Sequence, residues 1–125
     1  MTKVKSLKPE LIIFVDNCYG EFTEMLEPPQ VGADLVAGSL IKNPGGGIAE
    51  TGGYICGRSD LVELAAYRLT APGIGGEVGA MLGTTRGLYQ GLFMAPHTVG
   101  QAVKGSIFAS AVFQGCGFTT KPAWN

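Results

Sequence analysis

The sequence predicts an α/β fold: an incomplete, mostly parallel sheet with helices packed on it. Three observations carry that expectation. Residues 11–15 (Leu11, Ile12, Ile13, Phe14, Val15) form an unbroken apolar run rich in β-branched types. Such a run, without polar alternation, marks a strand covered on both faces. Residues 34–38 and 53–56 repeat the pattern in shorter form, the latter with glycines at its ends. Two longer stretches, 59–69 and 96–114, carry helix signals.

Taken in chain order, the first ten residues hold three lysines but no apolar stretch of the kind that forms a signal peptide. After the first strand, residues 19–32 contain Glu21, Glu24, Glu27, Pro28 and Pro29, which makes them a polar connector with about one turn of helix. Ser59 or Asp60 can cap the next helix, and Asp60 with Glu63 has capping-box spacing. That helix runs to Leu69, before Ala71, Pro72 and Gly73. Gly75, Gly79, Gly83, Gly87 and Gly91 recur every four residues. Were residues 76–93 helical, these would line one face and admit another backbone closely; turns and short helices are the alternative, since glycine weakens a helix. Pro96 suits the first turn of a final helix, with His97 beside it in a packing or capping role. Apolar residues on more than one face bury much of that helix. Gly115 and Gly117 end it.

The chain has one domain's length, and its charges nearly cancel, at −1. That balance speaks against a nucleic-acid or anionic-membrane partner. Only 15% of residues are charged and 46% are hydrophobic, against a usual charged share of about 25%. So little polar material suits the interior part of something larger, or a subunit with extensive buried contacts. Cys18, Cys56 and Cys116 form no CxxC pair, and with a single histidine no metal site is expected. Reduced thiols in a cytoplasmic protein fit this usage. The uncharged stretch 105–120 is shorter than the roughly 20 apolar residues of a membrane span.

Two residues bear the chemistry. Asp16 directly follows the first strand, and Lys42 follows the second. Ligands of open α/β sheets bind beyond the carboxyl ends of strands. A lysine amine forms a Schiff base with an aldehyde cofactor and moves protons. A carboxylate beside a pyridine nitrogen keeps that nitrogen protonated. Together these are the groups that pyridoxal phosphate chemistry requires. Taken singly, Asp16 reads as well as a loop cap, and Lys42 as a surface lysine. Ser39 offers a hydroxyl for a phosphate, and Gly45, Gly46 and Gly47 permit close approach without forming a Walker loop. Tyr19 can hydrogen-bond a ring oxygen or simply pack. Arg58, Arg68 and Arg86 could bind a substrate carboxylate, and their spacing does not choose among them.

Three segments, Asp16-Asn17-Cys18-Tyr19-Gly20-Glu21-Phe22, residues 33–47 and Gly52-Gly53-Tyr54-Ile55-Cys56-Gly57, resemble the methionine γ-lyase-related proteins also labelled aluminium resistance proteins. The resemblance continues through residues 70–77 to the final helix and so covers nearly the whole chain. It implies the C-terminal part of a fold-type I pyridoxal-phosphate-dependent transferase-like large domain. Residues 1–114 would belong to that large domain and residues 115–125 would begin a small C-terminal domain. Lys42 would hold the cofactor, Asp16 its ring nitrogen, Ser39 its phosphate and Tyr19 its ring oxygen. The implied activity is carbon–sulfur cleavage in a sulfur amino acid, in a cytoplasmic homo-oligomer. An aminotransferase or aldolase-like enzyme of the same fold, or a non-catalytic assembly module, are the alternatives. Family members are much longer, so the chain reads as an internal or truncated piece, expected to be inactive by itself.

Overall fold

In a computed structural model, which describes residues 1–77 and 81–124, the chain forms helix α1 (Thr2–Leu7), strands β1 (Phe14–Asp16), β2 (Leu35–Ser39) and β3 (Gly53–Gly57), and helices α2 (Ser59–Leu69) and α3 (Thr85–Gly115). The α/β class and all three strands stand where the apolar runs put them. Strand β1 is shorter than its run. Residues 11 and 12 precede it, and the Asp34 carboxylate takes the Ile13 amide at 2.8 Å in place of a strand partner.

The sheet has the order β1-β2-β3 and is mixed, which corrects the expectation of a mostly parallel one. β1 and β2 run parallel, with Asp16 opposite Ala37; β2 and β3 run antiparallel, with Ser39 opposite Gly53. The connections explain the difference. Residues 17–34, with a 3-10 turn at Pro28–Val31, are long enough to return the chain for a parallel strand. Between β2 and β3 lies only a glycine-rich loop with a 3-10 turn at Asn43–Gly45. With no crossover helix, that loop reverses the chain.

α2 has the expected bounds, but its expected capping box is absent. Asp60 is taken instead by the Arg58 guanidinium, at 3.1 Å from Nε and 2.7 Å from NH2. This fork holds the Asp60 carboxyl below its ordinary range. α1 was not foreseen. It is pinned by Lys5, which donates to the Leu11 carbonyl at 2.8 Å and pairs with Asp34 at 2.6 Å.

The final helix begins eleven residues before Pro96, so Pro96 is interior rather than in the first turn. An interior proline costs a hydrogen bond and a steric clash. The packing of the preceding turn sustains the helix across it: Gly91, Ala95 and Val99 are its buried residues, spaced four apart along one face. His97 is exposed in mid-helix and caps nothing. The C-terminus closes as a Schellman motif. Gly117 has φ 89°, its amide bonds Gln114 at 2.9 Å, and the Phe118 amide bonds Phe113 at 3.0 Å. The Phe113 and Phe118 rings meet edge to face at 6.1 Å.

A continuous glycine-striped helix over 76–93 is not formed. Gly75 and Gly83 have φ of 58° and 81°, which suit turns. Gly79 lies outside the described residues. Close backbone approach does occur at one member of the stripe. A Cβ on Gly91 would overlap the Gly45 carbonyl, and one on Gly46 would overlap the Gly91 carbonyl. Thr98 adds a hydrogen bond to the Gly46 carbonyl at 3.2 Å. Helix α3 therefore seats the loop that follows Lys42.

Candidate functional site

The parallel pair β1–β2 sends both strands' carboxyl ends to one edge of the sheet. Asp16 is the last residue of β1, Ser39 the last of β2, and Lys42 lies three residues beyond. Asp16 and Ser39 line one shallow cleft of about 290 Å³ with Cys18, Gly38 and Gly53. Lys42 and Tyr19 meet beside it: the Lys42 Nζ stands 4.6 Å from the centroid of the Tyr19 ring. A cation over an aromatic face is held electrostatically while its N–H donors stay available. Among the described residues, the ion pairs are Lys5–Asp34, Arg58–Asp34 and Arg58–Asp60, so no carboxylate claims Lys42.

Asp16 accepts the Cys18 amide at 3.1 Å. That bond first, then the Cys18 thiol and the nearby Lys42 charge, hold its carboxyl below the ordinary 3.8. A carboxylate so stabilised keeps its negative charge over the neutral range. Tyr19 reaches Lys42 through an unusual backbone, with φ 69°. A bulky residue in the left-handed region is uncommon and marks strain or function. The four residues picked from the sequence thus form two neighbouring pairs at one sheet edge. Arg58 is committed to Asp34 and Asp60, while Arg68 and Arg86 are exposed on α2 and at the start of α3.

Behind this edge lies a network that the sequence reading passed over as polar connector. Glu21 is only 4% exposed. Its Oε1 accepts the Tyr54 hydroxyl at 2.8 Å, and its main-chain carbonyl accepts Asn43 Nδ2 at 3.0 Å. Its Oε2 has no hydrogen-bond partner among the described residues. Burial, and then the Glu21 carboxylate, push the Tyr54 hydroxyl above its ordinary range. Glu27 closes the loop internally, accepting the Phe22 amide at 2.8 Å and Asn17 Nδ2 at 3.2 Å. Gly38 is required here, because a Cβ on it would overlap both Glu21 and Tyr54. The one legible signal was that glycine, set between Ala37 and Ser39 where a strand prefers a side chain. An apolar cavity of about 290 Å³ adjoins the network, bounded by Val36, Leu40, Pro44, Tyr54 and Leu92.

Comparison with known proteins gives a consistent set of relatives. The sequence profile of the methionine gamma-lyase family matches residues 1–125. The Bacillus subtilis protein YnbB is 56% identical over 122 residues, which are 98% of this chain and 29% of that one. A candidate cystathionine beta-lyase involved in aluminum resistance from Listeria innocua superimposes with a TM-score of 0.95 at 57% identity, over 99% of this chain and 30% of its own. A carbon-sulfur lyase involved in aluminum resistance from Clostridium novyi NT gives 0.92 at 55% identity, over 98% and 29%. The chain thus spans under a third of the length of each of these three proteins.

Proposed function

Because the chain belongs to the methionine gamma-lyase family, we propose that it carries part of the cofactor site of a pyridoxal-phosphate-dependent carbon–sulfur lyase of fold type I. The observation that bears most weight is that Asp16 and Ser39 share a cleft at one end of a parallel strand pair, with the Lys42 charge near enough to act on the Asp16 carboxyl. On this reading residues 1–114 belong to the large, cofactor-binding domain and residues 115–125 begin the small one.

The donor set suits the cofactor. Lys42 is free of ion pairs among the described residues and can bond the aldehyde carbon. Asp16 stays ionised and can hold the proton of the ring nitrogen. The Ser39 hydroxyl can donate to the phosphate, and Tyr19 can orient the ring oxygen. Bound pyridoxal phosphate supplies an electron sink that lets carbon acids ionise and side-chain groups leave. With that group bound, the Lys42 amine would take and return protons at the substrate carbons. Tyr19 keeps the Lys42 amine over its ring face and limits the positions from which those transfers occur. An amino acid with a sulfur-bearing side chain is the substrate class, in keeping with the Clostridium novyi relative described as a carbon-sulfur lyase.

The test is reductive trapping. The full-length protein would be purified with pyridoxal phosphate, treated with borohydride and peptide-mapped. Cofactor on Lys42 is the expected result; none, or cofactor on another lysine, overturns the assignment. Lys42→Ala should then lower turnover of sulfur amino acids by about 10²–10⁴, the usual share of a positioned acid–base group. Product analysis tells thiol release from amino transfer.

A further inference from the structure

Two loops carry the candidate site, and a single buried residue joins them. Residues 17–27 follow Asp16 and include Tyr19; residues 40–52 follow Ser39 and include Lys42. Each loop could be well formed and still misplaced relative to the other. The Tyr19–Lys42 stacking crosses the gap, but it joins two long, partly exposed side chains. Beneath it, Glu21 makes the firm connection. Its carbonyl takes the amide of Asn43, the residue adjacent to Lys42, and its carboxylate takes Tyr54 of β3. The carboxylate is 4% exposed and one oxygen has no partner among the described residues. Burying such a group lowers stability relative to an apolar side chain of the same size. Stability alone therefore does not explain its place; a fixed geometry does.

We infer that Glu21, Asn43 and Tyr54 form a clamp that sets the position of Lys42 against Tyr19 and Asp16. The three are positioning residues: they touch no reacting atom and act through the main chain on either side of Lys42. Removing the Asn43 amide leaves both loops folded, since Glu27 closes the first and Gly45, Gly46 and α3 hold the second. The distance from the Lys42 amine to its neighbours then spreads over a wider range.

This inference rests on the cofactor reading, and the test separates the two. In the full-length protein the cofactor is first mapped by borohydride; if it is not on Lys42, the cofactor reading fails before any variant is made. With that established, Asn43→Ala is compared with Asp34→Asn, which loosens the opposite end of the β1–β2 pair. Both are expected to lower thermal stability. Only Asn43→Ala should move the pH midpoint of the lysine-bound cofactor's absorbance, by about half a unit or more. It should also lower kcat about tenfold or more, with KM changed much less, as small misplacements do. Tyr54→Phe should move the midpoint in the same direction. An Asn43→Ala protein with an unmoved midpoint and kcat, or with both moved equally by Asp34→Asn, overturns the clamp. Should Asn43→Ala fail to fold, Asn43→Leu, which keeps about the size and loses the donor without adding a charge, is read by the same outcomes.

Discussion

Asp34 ties together three parts of the chain. Its carboxylate receives the Ile13 amide, pairs with Lys5 of α1, and reaches Arg58 at 3.4 Å before α2. The Ile13 amide first, then Lys5, then the more distant Arg58, pull its carboxyl from 3.8 down to about 2. A carboxyl depressed in the folded state stabilises the fold above its unfolded value and ceases to do so as pH falls through its folded one. The urea midpoint should therefore be steady down to about pH 4 and fall between about 4 and 2 from this group. Asp34→Asn should lower the midpoint at pH 7 and flatten that part of the curve. An unchanged curve would show that Asp34 is no anchor. Asp16, Ser39 and Lys42 are legible because each ends or follows a strand whose apolar run shows its direction. Asp34, Glu21 and Asn43 were not, because their partners lie 21 to 33 positions away and no local pattern announces them.

At the scale of elements, the joint between α3 and the Lys42 loop is decided by glycine. Gly91→Ala gains up to about 1 kcal/mol of helix propensity. It also drives a methyl into the Gly45 carbonyl, and overpacking of this kind costs about 1–3 kcal/mol. The overlap with rigid backbone should win, for a net loss of about 1–2 kcal/mol by chemical denaturation. Gly100→Ala, on the same helix with open space around its Cβ, should instead stabilise by up to about 1 kcal/mol. If both behave alike, the close approach is not what fixes Gly91. Apart from α1, the helices and strands were visible in the sequence wherever periodicity was local. The direction of β3 and the start of α3 were not. The first depends on what the β2–β3 loop does in space, and the second on packing that outweighs the proline signal at Pro96.

The whole molecule exposes 9113 Å², whereas a compact monomer of its 13.0 kDa mass exposes about 6300 Å². Among the described residues the buried apolar side chains are few: Ala33, Val36, Ala95 and Val99. Ile107, Phe108, Val112 and Phe113 stand exposed along the second half of α3. No helix among the described residues is long and apolar enough to cross a membrane. The excess, roughly 2800 Å², is the size of an obligate interface. It accords with the low charge content of the chain, from which extensive buried contacts are expected. The 125-residue chain alone should bind the dye ANS strongly and self-associate as concentration rises. The full-length protein should bind little dye and keep one assembly state over the same concentrations. A monomeric, dye-inert chain would mean that this apolar surface needs no cover.

On the proposed cofactor reading, Tyr19 places durability and chemistry in opposition. Its left-handed backbone, φ 69°, costs a side-chain-bearing residue on the order of 1–2 kcal/mol that glycine avoids. Tyr19→Gly should thus raise the melting temperature or leave it unchanged, while weakening retention of the cofactor in dialysis. A protein selected only for heat tolerance would drift toward glycine at this position; one selected for turnover would keep the ring. A joint loss of both properties on substitution would show that the ring is simply part of the packing. The separation of the two responses gives a screen in which thermal survivors and active clones diverge at a single codon.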